Sequence, residues 1–230
     1  MSDQRSAPPL PPSARGRKTR AAFEDAARRA IARHGFLRTT VADIATEAGR
    51  SPASFYNYFE SKEDLLWVLA DQFPHEVIMR ARSVIRRDAP PRERIEASAR
   101  AYWMAYKEHL PVLVGVFQLA MKDDAFAQRW RDIRHVGVDN IEREIRRAQA
   151  DGFCPDLEPR LAASALASMF EQFCFVWLGQ GGEGDTRTSV DDDDAVATLS
   201  TIWYHALYWR ADATPGAAGS VDGGDGADSP

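Results

Sequence analysis

Residues 39–66 read TTVADIATEAGRSPASFYNYFESKEDLL, and their punctuation decides the fold. Thr40-Val41-Ala42-Asp43 has the form of a capping box: a threonine hydroxyl caps a helix start, and the acid three residues on reaches back to the cap's own amide. Val41, Ile44, Ala45 and Ala48 mark the apolar side of a short helix, and Gly49 supplies the left-handed residue that ends it. Ser51 caps the next start, and Pro52 suits a first helical position, where an amide would have no partner anyway. Phe55 and Phe59 point inward from this third helix. Ser61 to Asp64 repeats the capping signal ahead of Leu65, Leu66, Leu69 and Phe73. A short helix, a turn of about three residues containing glycine and a second short helix make a helix-turn-helix, whose second helix enters the DNA major groove. The motif occupies about residues 40–59.

The outward residues of that second helix suit the task. Ser54, Tyr56, Asn57 and Tyr58 can hydrogen-bond to base edges or phosphates, and Ala53 is small enough for close approach. Asparagine pairs with an adenine edge, and small apolar groups meet a thymine methyl. The helix start at Ser61, with Lys62 beside it, favours a phosphate oxygen.

Working outward, Phe23, Ala27, Ala30, Ile31 and His34 fall on one face of a preceding helix that stops at Gly35. Residues 15–40 hold eight Lys/Arg against two Asp/Glu, whereas the whole chain is net −5. The basic charge is therefore concentrated where a phosphate backbone would sense it.

The segment resembles the DNA-binding domain of TetR-family repressors. Their pattern runs from a basic first helix through T-hydrophobic-x-x-I-A-x-x-A-G-x-S-x-x-x-F/L-Y-x-Y/H-F-x-x-K-x-x-L. Thr40, Ile44, Ala45, Ala48, Gly49, Ser51, Phe55, Tyr56, Tyr58, Phe59, Lys62 and Leu65 match it in register, over a domain of about residues 17–77. A departure is Ala53, where many members carry glycine. The resemblance implies phosphate contacts for Thr40, Ser51, Tyr56, Tyr58 and Lys62. It implies base-edge positions for Arg50, Ala53, Ser54 and Asn57, and a backbone or minor-groove path for Arg17, Lys18 and Arg20. Beside these stand plainer readings: Thr40 as a cap alone, Tyr58 packed on the fourth helix, and Arg28, Arg29 and Arg33 as solvated surface.

Helical periodicity continues beyond Phe73, with an interruption expected at Pro74 and a clear break at Asp88-Ala89-Pro90-Pro91. Helices are predicted over 92–109, 111–121, 123–150, 158–179 and 191–210. The fold class is all-α with about nine helices. The last two, LAASALASMFEQFCFVWL at 161–178 and AVATLSTIWYHALYW at 195–209, are apolar on nearly every face and must be buried in a core or an interface. The family resemblance makes residues 78–210 a helical ligand-binding and dimerisation domain, with helices 158–179 and 191–210 forming the homodimer. A palindromic operator needs such a dimer.

Candidate effector-lining residues are Trp103, Tyr106, Phe117, Met121, Trp130, Phe170, Glu171, Phe173 and Trp177, which suggest an apolar or aromatic ligand. Each aromatic is equally at home in a core. Glu171 and Gln172 interrupt an apolar helix, so a buried copy needs a partner. His109 and His135 read as surface positions. Arginines and lysines do not cluster within the apolar helices, which argues against a strongly anionic ligand.

Cys154 and Cys174 are the only cysteines and read as small core residues. The four aspartates Asp191 to Asp194 read as a helix cap, not a metal site. No cofactor is called for, and no nucleophile–base motif or phosphate-binding glycine loop suggests an enzyme. Residues 1–14 and the acidic Gly/Ala/Asp stretch 211–230 read as disordered. The N-terminus lacks the apolar core of a signal peptide, and no run of about 18 apolar residues is present to span a membrane; the expectation is a cytoplasmic protein. The leading function is a ligand-responsive repressor that binds operator DNA as a homodimer and releases it on binding a small effector. A transcriptional activator or a constitutive DNA-binding structural factor built on the same domain are the alternatives.

Overall fold

The computed structural model describes residues 13–86, 88–184 and 188–210. The tails expected at 1–14 and 211–230 lie outside the described residues, except for Ser13 and Ala14. Every regular element among the described residues is helical.

Helix α1 spans Ala14–His34 and starts on the Ser13 hydroxyl, which accepts from the Gly16 amide at 3.1 Å. Phe23, Ala26, Ala27, Ala30 and Ile31 form its buried face. His34, expected on that face, is exposed in the last turn. A single 3-10 turn, Phe36–Arg38, leads to α2, Val41–Glu47. The short α3, Pro52–Phe55, follows, then α4, Lys62–Ala70. The small core beneath them is aromatic. Phe23 meets Phe55 edge-on at 5.5 Å and Phe59 at 6.5 Å, the geometry that ring quadrupoles favour.

Helix α5 spans Gln72–Val84. The break from α4 falls at Asp71, not at Pro74. A proline ring collides with the carbonyl four residues back, here that of Ala70, so α4 ends there. Pro74 then occupies the first turn of the next helix, where no amide donor is needed.

Helix α6 runs unbroken from Pro91 to Ala120 with Pro111 inside it. This corrects the expectation of two helices parting there. The flanking Tyr106, Val112, Leu113 and Val116 are all buried, and packing on both sides of Pro111 outweighs one lost backbone bond. Around α6 pack α5, α7 (Asp124–Ala150) and α9 (Asp192–Leu207).

Helix α8, Pro159–Cys174, packs on α7 and continues as a π-helical turn, Phe175–Gln180, to Gly181 at φ 87°. The combined helix Pro159–Gln180 is long and apolar enough, by length and composition, to cross a membrane, with a mean hydropathy of 1.4. The expectation concerned unbroken apolar runs of about 18 residues, and the segment holds none. Ser164, Ser168, Glu171 and Gln172 interrupt it. Glu171 is paired with Arg134 of α7 at 2.9 Å.

Asp191 caps α9, its Oδ1 accepting from the amides of Asp193 (2.8 Å) and Asp194 (3.4 Å). Asp192 accepts from the Trp103 indole N–H and the Lys107 ammonium, each at 2.8 Å, and Asp193 accepts from Arg100 at 2.7 Å. The aspartate run thus starts α9 and ties it to α6. No cluster of His, Cys, Asp or Glu among the described residues is arranged to hold a metal.

Candidate nucleic-acid interface and core cavity

The α2–α3 unit is built by its caps. Thr40 Oγ1 accepts from the Asp43 amide at 3.1 Å, and Asp43 Oδ2 accepts from the Thr40 amide (2.9 Å) and hydroxyl (2.7 Å). These bonds from Thr40 hold the Asp43 carboxyl below its ordinary 3.8. Gly49 at φ 63° lets the Arg50 amide return to the Ala45 carbonyl at 2.9 Å. That bond closes the end of α2, and a β-carbon at this φ would be strained. Ser51 then caps α3 through the Ser54 amide at 3.2 Å.

These caps turn one side of α3 outward. Arg50, Ser51, Ala53, Tyr56 and Asn57 are exposed, Tyr56 by 59%. Ser54 and Tyr58 are half-buried. The Tyr58 ring lies 5.9 Å from Phe23 and so packs on α1. Lys62 behaves differently from the other candidates. Its ammonium donates to the carbonyls of Phe36 (3.3 Å), Leu37 (3.4 Å) and Thr39 (2.9 Å), and lies 4.7 Å from the centre of the Phe36 ring. Three N–H donors meet three acceptors within the chain.

On α1, Lys18 is exposed, and Arg20 pairs with Glu24 at 3.1 Å. Arg29 and Arg33 both clamp Glu47 of α2, Arg29 at 2.7 Å, and hold that carboxyl below its usual range. Arg28 donates to Gln72 of α5. These arginines are expected at the solvated surface; Arg29 and Arg33 are exposed there, and all three also tie α1 to its neighbours.

A cavity of about 380 Å³ lies between α5, α6, α7 and α8. Of the nine aromatic and polar residues expected there, the structure brings Trp130, Phe170 and Glu171 to its wall. The other six lie elsewhere. Met121 is 85% exposed at the end of α6. Trp103 is buried against Asp192, and Phe173 stacks between Trp103 and Trp177, 6.0 Å from each. Phe117 packs behind Trp130 at 4.4 Å. Tyr106 is fully buried behind Phe73, its hydroxyl without a partner. His109, expected at the surface, is buried, with Nε2 2.7 Å from Glu76 Oε2. Helical spacing marked these rings as buried but could not say on which side of α6 or α8 they fall.

The wall contains residues the sequence reading passed over. From α5 come Phe73, Val77, Ile78 and Ala81, with Ile85 just past its end, and from α6 come Arg94 and Tyr102. From α7 come Ile133, Arg134, Gly137 and Ile141. The α5 stripe Phe73, Val77, Ile78 and Ala81 has helical period, the signal by which the sequence carries it. Arg134 binds both oxygens of Glu171 (2.9 and 3.0 Å) and the Ser164 carbonyl (3.0 Å). Burial pushes the Glu171 carboxyl above its ordinary 4.5, and Arg134 opposes that rise. Burial likewise pushes the Tyr102 phenol well above its ordinary 10, so it stays a neutral donor. At the far end Glu144 is buried and accepts from Arg94 (2.6 Å) and the Tyr208 hydroxyl (2.8 Å).

Comparison with known proteins fits this geometry. The family model "Bacterial regulatory proteins, tetR family" matches residues 25–67. The chain is 27% identical over 194 residues to the HTH-type transcriptional regulator EthR of Mycolicibacterium smegmatis, spanning 82% of this chain and 85% of that one. It is 32% identical over 155 residues to the HTH-type transcriptional regulator BetI of Rhizobium meliloti, spanning 66% and 74%. The fold is similar to a tetR-family regulatory protein from Rhodococcus RHA1, with TM-score 0.65, 23% identity and coverage of 85% and 99%. It is also similar to the fatty acid degradation regulator FadR of Bacillus halodurans, with TM-score 0.66, 18% identity and coverage of 80% and 94%.

Proposed function

The chain belongs to the tetR family of bacterial regulatory proteins and is a DNA-binding transcriptional regulator, and on that premise we propose that it is a cytoplasmic repressor that binds a palindromic operator as a homodimer and releases it when a small, largely apolar effector enters the core cavity. The observation that carries the reading is the exposed side of α3, where Arg50, Ala53, Tyr56 and Asn57 stand free of the core. It projects from the segment that matches the family.

In this reading residues 17–77 form the DNA-binding domain and 78–210 the effector and dimer domain. Arg50, Ala53, Ser54 and Asn57 face base edges, while Ser51 and Tyr56 reach phosphates, since a phenol or serine hydroxyl donates readily to a phosphate oxygen. Thr40 and Tyr58 contribute through their outward edges. Lys62, whose donors are committed to carbonyls, holds the 3-10 turn in place beneath the reading helix. The homodimer is supported by apolar surface left open on α8 and α9. Leu161 is 71% and Ile202 48% exposed. Two long apolar helices facing solvent are the ordinary mark of an interface.

The test is fluorescence anisotropy with DNA from the region upstream of the protein's own gene, at several salt concentrations, with scrambled DNA as control. Tight, salt-steep binding with a large preference for the upstream DNA is the expected result. Equal, weak binding to both DNAs, together with no preferred sequence in a selection from random DNA, would replace the repressor with a constitutive DNA-binding structural factor.

A further inference from the structure

The cavity has two unlike ends. Its walls follow α7 from Trp130 to Arg147, which at 1.5 Å per residue is a channel of about 25 Å. One end is aromatic, with Phe73, Tyr102, Trp130 and Phe170 around the internally neutral Arg134–Glu171 pair. The middle is aliphatic. The other end carries Arg82 from the last turn of α5, Arg94 from the first turn of α6, and Arg143 and Arg147 from α7, against the single carboxylate of Glu144.

Two of those arginines bear on a ligand directly. Arg94 donates to the Ala89 carbonyl (2.7 Å) and to Glu144, but its Nε–H is buried with no partner. A buried donor left unmade is costly. Arg82 is exposed at the rim and forms no ion pair among the described residues. Four guanidinium groups around one carboxylate leave a cationic mouth on an apolar channel.

Gly137 adds an independent observation. It sits in the middle of α7, where glycine weakens a helix relative to alanine. A β-carbon there would meet nothing within 4 Å, and the residue lines the cavity. No packing in the chain requires the glycine; an occupant of the channel would.

We propose that the effector is an elongated amphiphile with a single carboxylate head, held at the Arg82–Arg94–Arg143–Arg147 mouth, and an unbranched apolar tail that passes Gly137 toward Trp130 and Phe170. This rests on the effector reading above and names its chemistry. A single carboxylate head on an apolar tail stays within the expectation from sequence, which argued against a strongly anionic ligand. The arginines come from polar faces of α5, α6 and α7, and only the fold brings them to one end.

The experiment is isothermal titration calorimetry of the full chain with dodecanoate and dodecyltrimethylammonium below their micelle concentrations and dodecan-1-ol below its solubility limit. Dodecanoate is expected to bind about tenfold or more tighter than either comparator. The Arg82→Gln/Arg143→Gln/Arg147→Gln variant should lose that preference while still binding the alcohol. Gly137→Leu should weaken all three ligands while melting no lower than the parent. A parallel anisotropy measurement reads release of DNA. No binding of dodecanoate, an affinity indifferent to head charge, or a preference that survives the triple variant overturns the proposal. Head-selective binding without DNA release upholds the ligand class and removes the effector reading instead.

Discussion

Gly115 of α6 lies so close to Phe36 that a β-carbon on it would stand 2.8 Å from the Phe36 Cβ. Phe36 opens the 3-10 turn between α1 and α2, and its carbonyl and ring both hold Lys62. The central helix of the larger bundle therefore rests directly on the turn that carries the reading helix. A shift of α6 has no slack to absorb it before it moves Phe36.

Gly115→Ala is expected to destabilise the chain by about 1–3 kcal/mol, the usual cost of overpacking. Phe36 is a buried ring held from two sides and cannot swing aside as an exposed side chain would. Denaturant unfolding gives the stability. Anisotropy on operator DNA should show weaker binding even where the variant is fully folded, because α2 and α3 are displaced as a body. Unchanged stability would mean that the turn yields freely and that the junction transmits nothing.

Lys62→Met separates structure from phosphate binding. The ammonium makes three carbonyl bonds, and losing them should cost about 1–3 kcal/mol of stability. The slope of log affinity against log salt should not change, because no counterion is released at Lys62. A slope reduced by about one would restore Lys62 to the phosphate contacts.

Tyr56→Phe and Asn57→Ala distinguish the two kinds of contact on α3. Tyr56→Phe should weaken binding to all sequences alike, as loss of a phosphate bond does. Asn57→Ala should cost on the order of 1–3 kcal/mol and relax preference at one position in each half-site. Selection from random DNA with each variant reads the difference. A Tyr56 effect confined to one base would exchange their roles.

The helix-turn-helix was legible because each of its parts is local. The Thr40–Asp43 box, the Gly49 turn and the Ser51 cap are set by residues three to five apart, and the structure returns each of them. The cavity was not legible for the opposite reason. Its lining is decided by which side of α6 and α8 faces α7, and periodicity alone gives a ring such as Trp103 or Phe173 no address. Arg134 and Glu171 are 37 residues apart and look unrelated until α7 and α8 pack. Glu171's need for a partner could be inferred from its apolar neighbours; the partner's identity could not.

That pair yields its own prediction. Arg134→Met leaves Glu171 in the cavity wall without its cation, a loss on the order of 3 kcal/mol. Glu171→Gln should cost less. Burial already raises this carboxyl, and a neutral amide still accepts from Arg134. Arg134→Met should lower the urea midpoint more than Glu171→Gln; the reverse order would mean that the guanidinium depends on the Glu171 charge more than the carboxylate depends on its cation.

Asp192 sets an acid limit with a definite sign. Lys107 first, then the Trp103 indole, holds its carboxyl below the ordinary 3.8. The folded state therefore binds this proton less readily than the unfolded chain. The contribution is fully present above 3.8 and is lost as pH falls through the lower folded value. Glu171 acts in the opposite sense: its raised carboxyl costs stability as pH rises past 4.5, and acid relieves that cost. Comparing the parent with Asp192→Asn at each pH cancels the Glu171 effect. The urea midpoints should differ near neutrality, where Lys107 loses its anion, and converge in acid as Asp192 itself becomes neutral. A gap that persists undiminished in acid would mean that the charge of Asp192 contributes nothing and that the variant's amide is itself poorly accommodated at this position.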